Sequence, residues 1–141
     1  MMFDLHTHSV RNNAIVNGSV DVPVSSNVWF SLGVHPWFIP MGWRKLLIAI
    51  EKEKNLLAIG ECGLDKLHET SWELQKEVFL AQISLAVRLQ KPLIIHCVKA
   101  YNECGLFLKS INVFAVFHGF NKKEAVLLQL LKNDRFYVLG F

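Results

Sequence analysis

The feature that most constrains this chain is an alternation of short apolar runs with amphipathic stretches. Leu56 to Gly60, Leu93 to His96 and Val113 to Phe117 are apolar segments too short to be helices. Between them the spacing changes. Leu46, Leu47 and Ile50 share one side of a segment from about Gly42 to Lys54, with Arg44, Glu51 and Lys52 on the other. Phe79, Ile83 and Ala86 form the apolar side of a long stretch reaching about Gln90, and a further helix is expected from about Ala100 to Lys109. Apolar strands separated by amphipathic helices predict parallel βαβ units, because a parallel sheet is covered on both faces. Phe3 to His8, Val28 to Val34 and Phe136 to Phe141 read as further strands.

Local signals place the boundaries. Pro36 disfavours helical geometry at His35 and stops the strand before it, and Pro92 opens the next one. Thr70-Ser71-Trp72-Glu73 fits a capping box, in which a hydroxyl and a carboxylate three residues on satisfy each other's free backbone N–H groups. Asn121 with Glu124 marks another helix start. The stretch from Arg11 to Asn27 is rich in Asn, Ser and Gly. Its Asn17-Gly18 pair, between Ala14–Val16 and Ser19–Val22, predicts a hairpin or irregular excursion.

With 141 residues and 52% hydrophobic content, the chain has the apolar material for one compact core and is expected to be a single domain. A net charge of +3 suits a phosphate-bearing substrate but is far below that of a dedicated nucleic-acid-binding protein. There is no charged-and-apolar leader and no apolar run of about 18 residues, so a cytoplasmic, non-membrane protein is expected. Cys62, Cys97 and Cys104 are odd in number and lack C-x-x-C spacing, which argues for reduced, buried thiols.

The polar residues at the strand ends carry the chemistry. In a strand alternate side chains share a face, so His6 and His8 can point together at one ion; alone, such a pair more often describes solvated or hydrogen-bonded histidines. His96 or His118, taken singly, reads as a core histidine bonded to a carbonyl. Taken together, His6, His8, His35, Glu61, His96 and His118 all fall at or just after predicted strand ends. In a parallel barrel those ends open onto one face, where active sites are built. Asp65 belongs to the same mouth, where it orients a ligand or meets substrate, or else it is a turn aspartate. Lys99 either faces phosphate or is solvated.

Asp4-Leu5-His6-Thr7-His8, Gly33-Val34-His35-Pro36, Gly60-Glu61-Cys62-Gly63-Leu64-Asp65, Ile95-His96-Cys97 and Phe117-His118-Gly119-Phe120 occur in an order and spacing that resembles the TatD family of metal-dependent hydrolases. The resemblance implies an α/β fold of TIM-barrel type and a deoxyribonuclease-like activity. It also implies two divalent ions (Zn, Mg or Mn): His6 and His8 would hold one, His96 and His118 the other, and Glu61 would bridge both as the catalytic carboxylate. His35 would meet substrate phosphate. Two ions about 3.5–4 Å apart can activate water and neutralise phosphate oxygens. The expected function is cleavage of phosphodiester bonds in DNA. The alternatives are hydrolysis of another ester or amide on the same scaffold, or a metal- or partner-binding remnant.

Two departures from the family pattern bear on the expectation. The stretch between His8 and Gly33 is short and lacks a helical pattern, so the first crossover helix is expected to be reduced. The family's E-T-D block, which supplies a metal-binding and general-base aspartate on the last strand, has no counterpart in these residues. Intervals of 26, 35 and 22 residues separate His35, Glu61, His96 and His118, which puts Phe136–Phe141 at the seventh strand position. An incomplete barrel of about seven strands is therefore expected. It would be truncated at the C-terminus, or paired with another copy through its open edge, and a weak hydrolase or none.

Overall fold

A computed structural model describes residues 4–9, 14–18, 29–120, 125–126 and 132–140. Seven strands lie side by side in chain order: β1 Asp4–Thr7, β2 Ala14–Asn17, β3 Phe30–Leu32, β4 Leu56–Asp65, β5 Leu93–Val98, β6 Ala115–Phe120 and β7 Phe136–Gly140. Every neighbouring pair is parallel. Helices α1 (Trp43–Glu51), α2 (Trp72–Leu89) and α3 (Tyr101–Leu108) supply crossovers between successive strands from β3 to β6. This is the α/β architecture expected of a TIM-type barrel, with seven strands among the described residues. No helix among the described residues is long and apolar enough to cross a membrane.

The sheet separates two environments by strand alternation. Ile59, Cys62, Leu64, Leu93, Ile95, Ala115 and Phe117 face the helices and pack with Phe79, Ile83 and Ala86 of α2. On the opposite, inner face Ala58 and Ile94 meet Ile15 of β2. Since His96 lies two residues beyond Ile94, and His118 two beyond Val116, both histidines share that inner face. The register sets them side by side: Gly63 pairs with His96, and His96 with His118.

β4 needs one extra step to join them. Strict alternation from Ala58 would turn Glu61 toward the helices. The register with β5 slips between Ile59 and Cys62, so one more residue is used on β4 than on its partner. That bulge places Glu61 inward while returning Cys62 and Leu64 to the helix side. The flanking glycines permit it. A Cβ on Gly60 would lie 2.5 Å from the Ile94 carbonyl oxygen, and one on Gly63 1.9 Å from that of His96. Both residues also have positive φ, 149° and 144°, which L side chains rarely adopt.

Three local expectations are corrected or bounded. Ala14–Asn17 is not a hairpin arm but a sheet strand, with Thr7 opposite Val16 and Val16 opposite Phe30. Asn-Gly makes a hairpin only when its flanks can pair with each other, and here the parallel neighbours on both sides take the first flank. The expected second arm, and the helix start at Asn121, lie outside the described residues. At α2 the cap is Ser71 and not Thr70: the Ser71 hydroxyl accepts from the Leu74 N–H at 3.4 Å, while the Thr70 hydroxyl meets His68 Nδ1 at 2.9 Å. The three cysteines are free and buried, as expected.

Candidate metal centre

Glu61 is buried at the inner mouth of β4, and its two oxygens face different histidines. Oε2 lies 3.3 Å from His6 Nε2, whereas Oε1 lies 3.5 Å from His96 Nδ1 and 3.9 Å from His35 Nε2. The His6 and His118 rings are 4.2 Å apart. Ligand atoms of His6, Glu61 and His118 lie within 4.8 Å of one another, and so do those of His35, Glu61 and His96.

These separations fit a bound cation. A charge-assisted hydrogen bond brings nitrogen and oxygen to about 2.7–2.9 Å, and the Glu61 contacts are all longer. Two bonds of about 2.1 Å from one ion at a tetrahedral angle hold the ligand atoms about 3.4 Å apart. Imidazole and carboxylate together suit Zn, Mn and related divalent ions. Burial pushes the Glu61 carboxyl up, but His6 and His96 beside it more than reverse this and hold it well below the usual carboxylate range. Glu61 is therefore an anion at neutral pH.

Asp65, also buried, sits behind His96. Its Oδ2 is 3.0 Å from His96 Nε2 and accepts from the Trp37 indole N–H at 2.7 Å, and its Oδ1 accepts from the Leu67 N–H at 2.9 Å. A proton on His96 Nε2 directed at Asp65 leaves the Nδ1 lone pair facing Glu61, the arrangement of an oriented metal ligand. Burial pushes Asp65 up, but His96, Trp37 and the Leu67 N–H hold it below its ordinary value. Burial likewise depresses His96, and Glu61 and Asp65 more than offset this, so its pKa is raised.

His35 differs. Its Nδ1 accepts the Trp37 backbone N–H at 3.1 Å, which places the ring proton on Nε2, the nitrogen nearest Glu61. Proximity groups it with the ligands, but that tautomer is a hydrogen-bond donor and not a lone-pair ligand. Burial and neighbouring His96 push its pKa down to about 4, so the ring is a neutral donor at neutral pH. His118 is also lowered, by burial and by His6.

The histidines and Glu61 expected at the mouth lie around one cleft. His118 pairs with His96 across β5 and β6 and also stands beside His6, with the two rings 4.2 Å apart. His8 is exposed, with its ring 4.9 Å from that of His6 and its Nδ1 3.4 Å from Asn17 Nδ2. Asp65 touches the site only through His96 and Trp37. Lys99 is exposed just past β5 in a left-handed conformation, φ 53°, and does not line the cleft. That cleft, of about 470 Å³, is bordered by His8, His35, Glu61, His96 and His118 together with Asn17, Trp37 and Phe38.

Three supporting residues escaped the sequence reading. Asn17 Oδ1 accepts from the Glu61 N–H at 3.2 Å. It ends β2, so the strand-end rule that singled out the histidines would have found it had β2 been read as a sheet strand. Gln82, fully buried on α2, brackets Val34: its Oε1 accepts from the Val34 N–H at 2.7 Å and its Nε2 donates to the Val34 carbonyl at 3.0 Å. Two turns earlier Gln75 does the same for Asp65, at 2.8 and 3.1 Å. Each glutamine fixes backbone beside a site residue. Their signal was an amide on the apolar side of a helix that also buries Phe79 and Ile83.

The family model described as TatD related DNase matches residues 3–140. An uncharacterized metal-dependent hydrolase of Buchnera aphidicola subsp. Baizongia pistaciae is 32% identical over 118 residues, covering 79% of this chain and 44% of that protein. A 3'-5' ssDNA/RNA exonuclease TatD of Pantoea ananatis is 34% identical over 87 residues, covering 57% of this chain and 33% of its own length. The chain thus spans less than half the length of these curated relatives. The crystal structure of YJJV, a TatD homologue of Escherichia coli K12, shares the fold with a TM-score of 0.74 at 21% identity, covering 90% of this chain and 55% of that one. Matched by the family model over almost all its residues, this chain belongs to the TatD-related DNase family.

Proposed function

We propose that this chain carries the metal-binding face of a hydrolase acting on phosphodiester bonds of nucleic acid, DNA foremost. The observation that supports this best is Glu61, a buried anion whose two oxygens face His6 on one side and His96 on the other. His6 with His118, and His96 held by Asp65, would hold two divalent ions, with Glu61 shared between them. His8, 4.9 Å from His6, is close enough to join the first set. Bound there, such ions would make water acidic enough to attack and would neutralise charge on the phosphate. The remaining residues bind and orient. His35, as a neutral N–H donor, would hold a phosphate oxygen. Asp65 fixes the His96 ring, and Asn17 and Gln82 fix the backbone that carries Glu61 and His35.

The test is release of mononucleotides from a single-stranded oligonucleotide by the purified chain, with and without Mn²⁺ or Mg²⁺. Release that EDTA abolishes, and that Glu61→Gln reduces at least about a hundredfold, is the expected result. Metal uptake without turnover on any phosphodiester would remove the hydrolase reading and leave a metal-binding protein.

A further inference from the structure

Beside the carboxylate lies a feature that metal binding does not use. Phe38 is 73% exposed and Trp37 43% exposed, and both border the cleft. Pro36 makes this possible: the Phe38 N–H donates to the His35 carbonyl at 3.0 Å, closing a β-turn with proline at its second position. The turn thrusts the two rings out next to His35. Trp37 cannot swing away, because its indole N–H donates to Asp65 and its ring is stacked on His68 at 5.4 Å and 13°. Its centroid is 5.4 Å from that of His96 and 6.3 Å from that of Phe38. Trp37 is thus pinned within contact of a site made of charged and polar groups, with the exposed Phe38 ring beside it.

We propose that Trp37 and Phe38 form a shelf that stacks nucleobases of a single-stranded nucleic acid and so delivers the adjoining phosphodiester to Glu61. The inference rests on the hydrolase reading above and adds how the strand is gripped. A nucleotide chain pairs flat π-faces with charged phosphates, and the cleft presents the same pairing of exposed rings with cation-competent ligands. Stacking is tolerant of base identity because every base has a π-face. In a duplex those faces are already covered, so the shelf selects single strands and frayed ends.

Phe38 is the residue to change, because its exposed ring can be removed without disturbing the Trp37–Asp65 bond. In EDTA, where no turnover occurs, fluorescence anisotropy would give the Kd of a labelled single-stranded oligonucleotide and of an abasic strand of equal length. The native chain should bind the base-bearing strand at least about fivefold more tightly. Phe38→Ala should lose most of that preference and Phe38→Tyr should keep it, with circular dichroism unchanged in both. Equal affinity for the two strands, or an undiminished preference in Phe38→Ala, would overturn the shelf. Cleavage assays with metal separate the two ideas. Equal cleavage of base-bearing and abasic strands would sink the shelf alone, and a base preference in binding with no cleavage of either strand would sink the hydrolase reading alone.

Discussion

At the scale of single residues the site is a graded set of protonation states around one carboxylate. Glu61 is kept anionic by His6 and His96, His35 is kept neutral by burial, and Asp65 decides which nitrogen of His96 faces inward. Replacing Asp65 with Asn should therefore act through His96. The amide can still accept the Trp37 proton, but it no longer provides the charge that orients the imidazole. Metal affinity, measured by competition with a chromogenic chelator, should fall by about 10- to 100-fold while the urea midpoint changes little. Unchanged affinity would show that Asp65 serves only the Trp37 turn. Much of this layer was legible in the sequence, because a histidine or glutamate at the end of an apolar strand is out of place unless it has work to do. Asn17, Gln75 and Gln82 were not legible: their partners are backbone groups distant in sequence, and nothing in a helix's own pattern says which carbonyl a glutamine will meet.

At the scale of elements, β4 is the part that turns a sheet into a site. Its bulge reverses the facing of Glu61, and its glycines let it approach β5 more closely than any side chain allows. Gly63→Ala would drive a Cβ into the His96 carbonyl at a positive φ, and should destabilise the chain by about 3 kcal/mol or more in urea denaturation. Gly105 on α3 is the contrast. A Cβ there meets nothing within 4 Å, so Gly105→Ala should stabilise by about 0.5–1 kcal/mol through helix propensity. If both alanines cost the same, the close β4–β5 approach is not what the glycine is for. The sequence announced β4 to β7 and all three helices, because each strand is continuously apolar and each helix spans several turns. It misled at β2, where a two-residue turn signal is local but parallel pairing is decided by distant neighbours.

For the molecule as a whole, the consequence of the proposed metal centre is that bound ions would tie the fold together. His6, Glu61, His96 and His118 come from β1, β4, β5 and β6, so cations held by His6, Glu61 and His118 and by Glu61 and His96 would link strands that are far apart in sequence. An ion that binds only the folded chain adds about 2.7 kcal/mol at a hundredfold excess over its Kd, which for a chain of this size raises Tm by roughly 5–10 °C. The order of strands was readable from ligand spacing, because each βα unit consumes a similar length of chain. The approach of the His118 ring to His6 was not, because it depends on the curvature of the sheet and on no single segment. The measurement that bears most directly on the Glu61-centred site is calorimetric titration of Mn²⁺ or Zn²⁺ into the metal-stripped chain and into Glu61→Gln, paired with Tm. Saturable uptake and a rise of several degrees in the native chain, both lost in Glu61→Gln with its metal-free fold intact, are predicted. Equal uptake and an equal Tm rise in the two proteins would contradict the account.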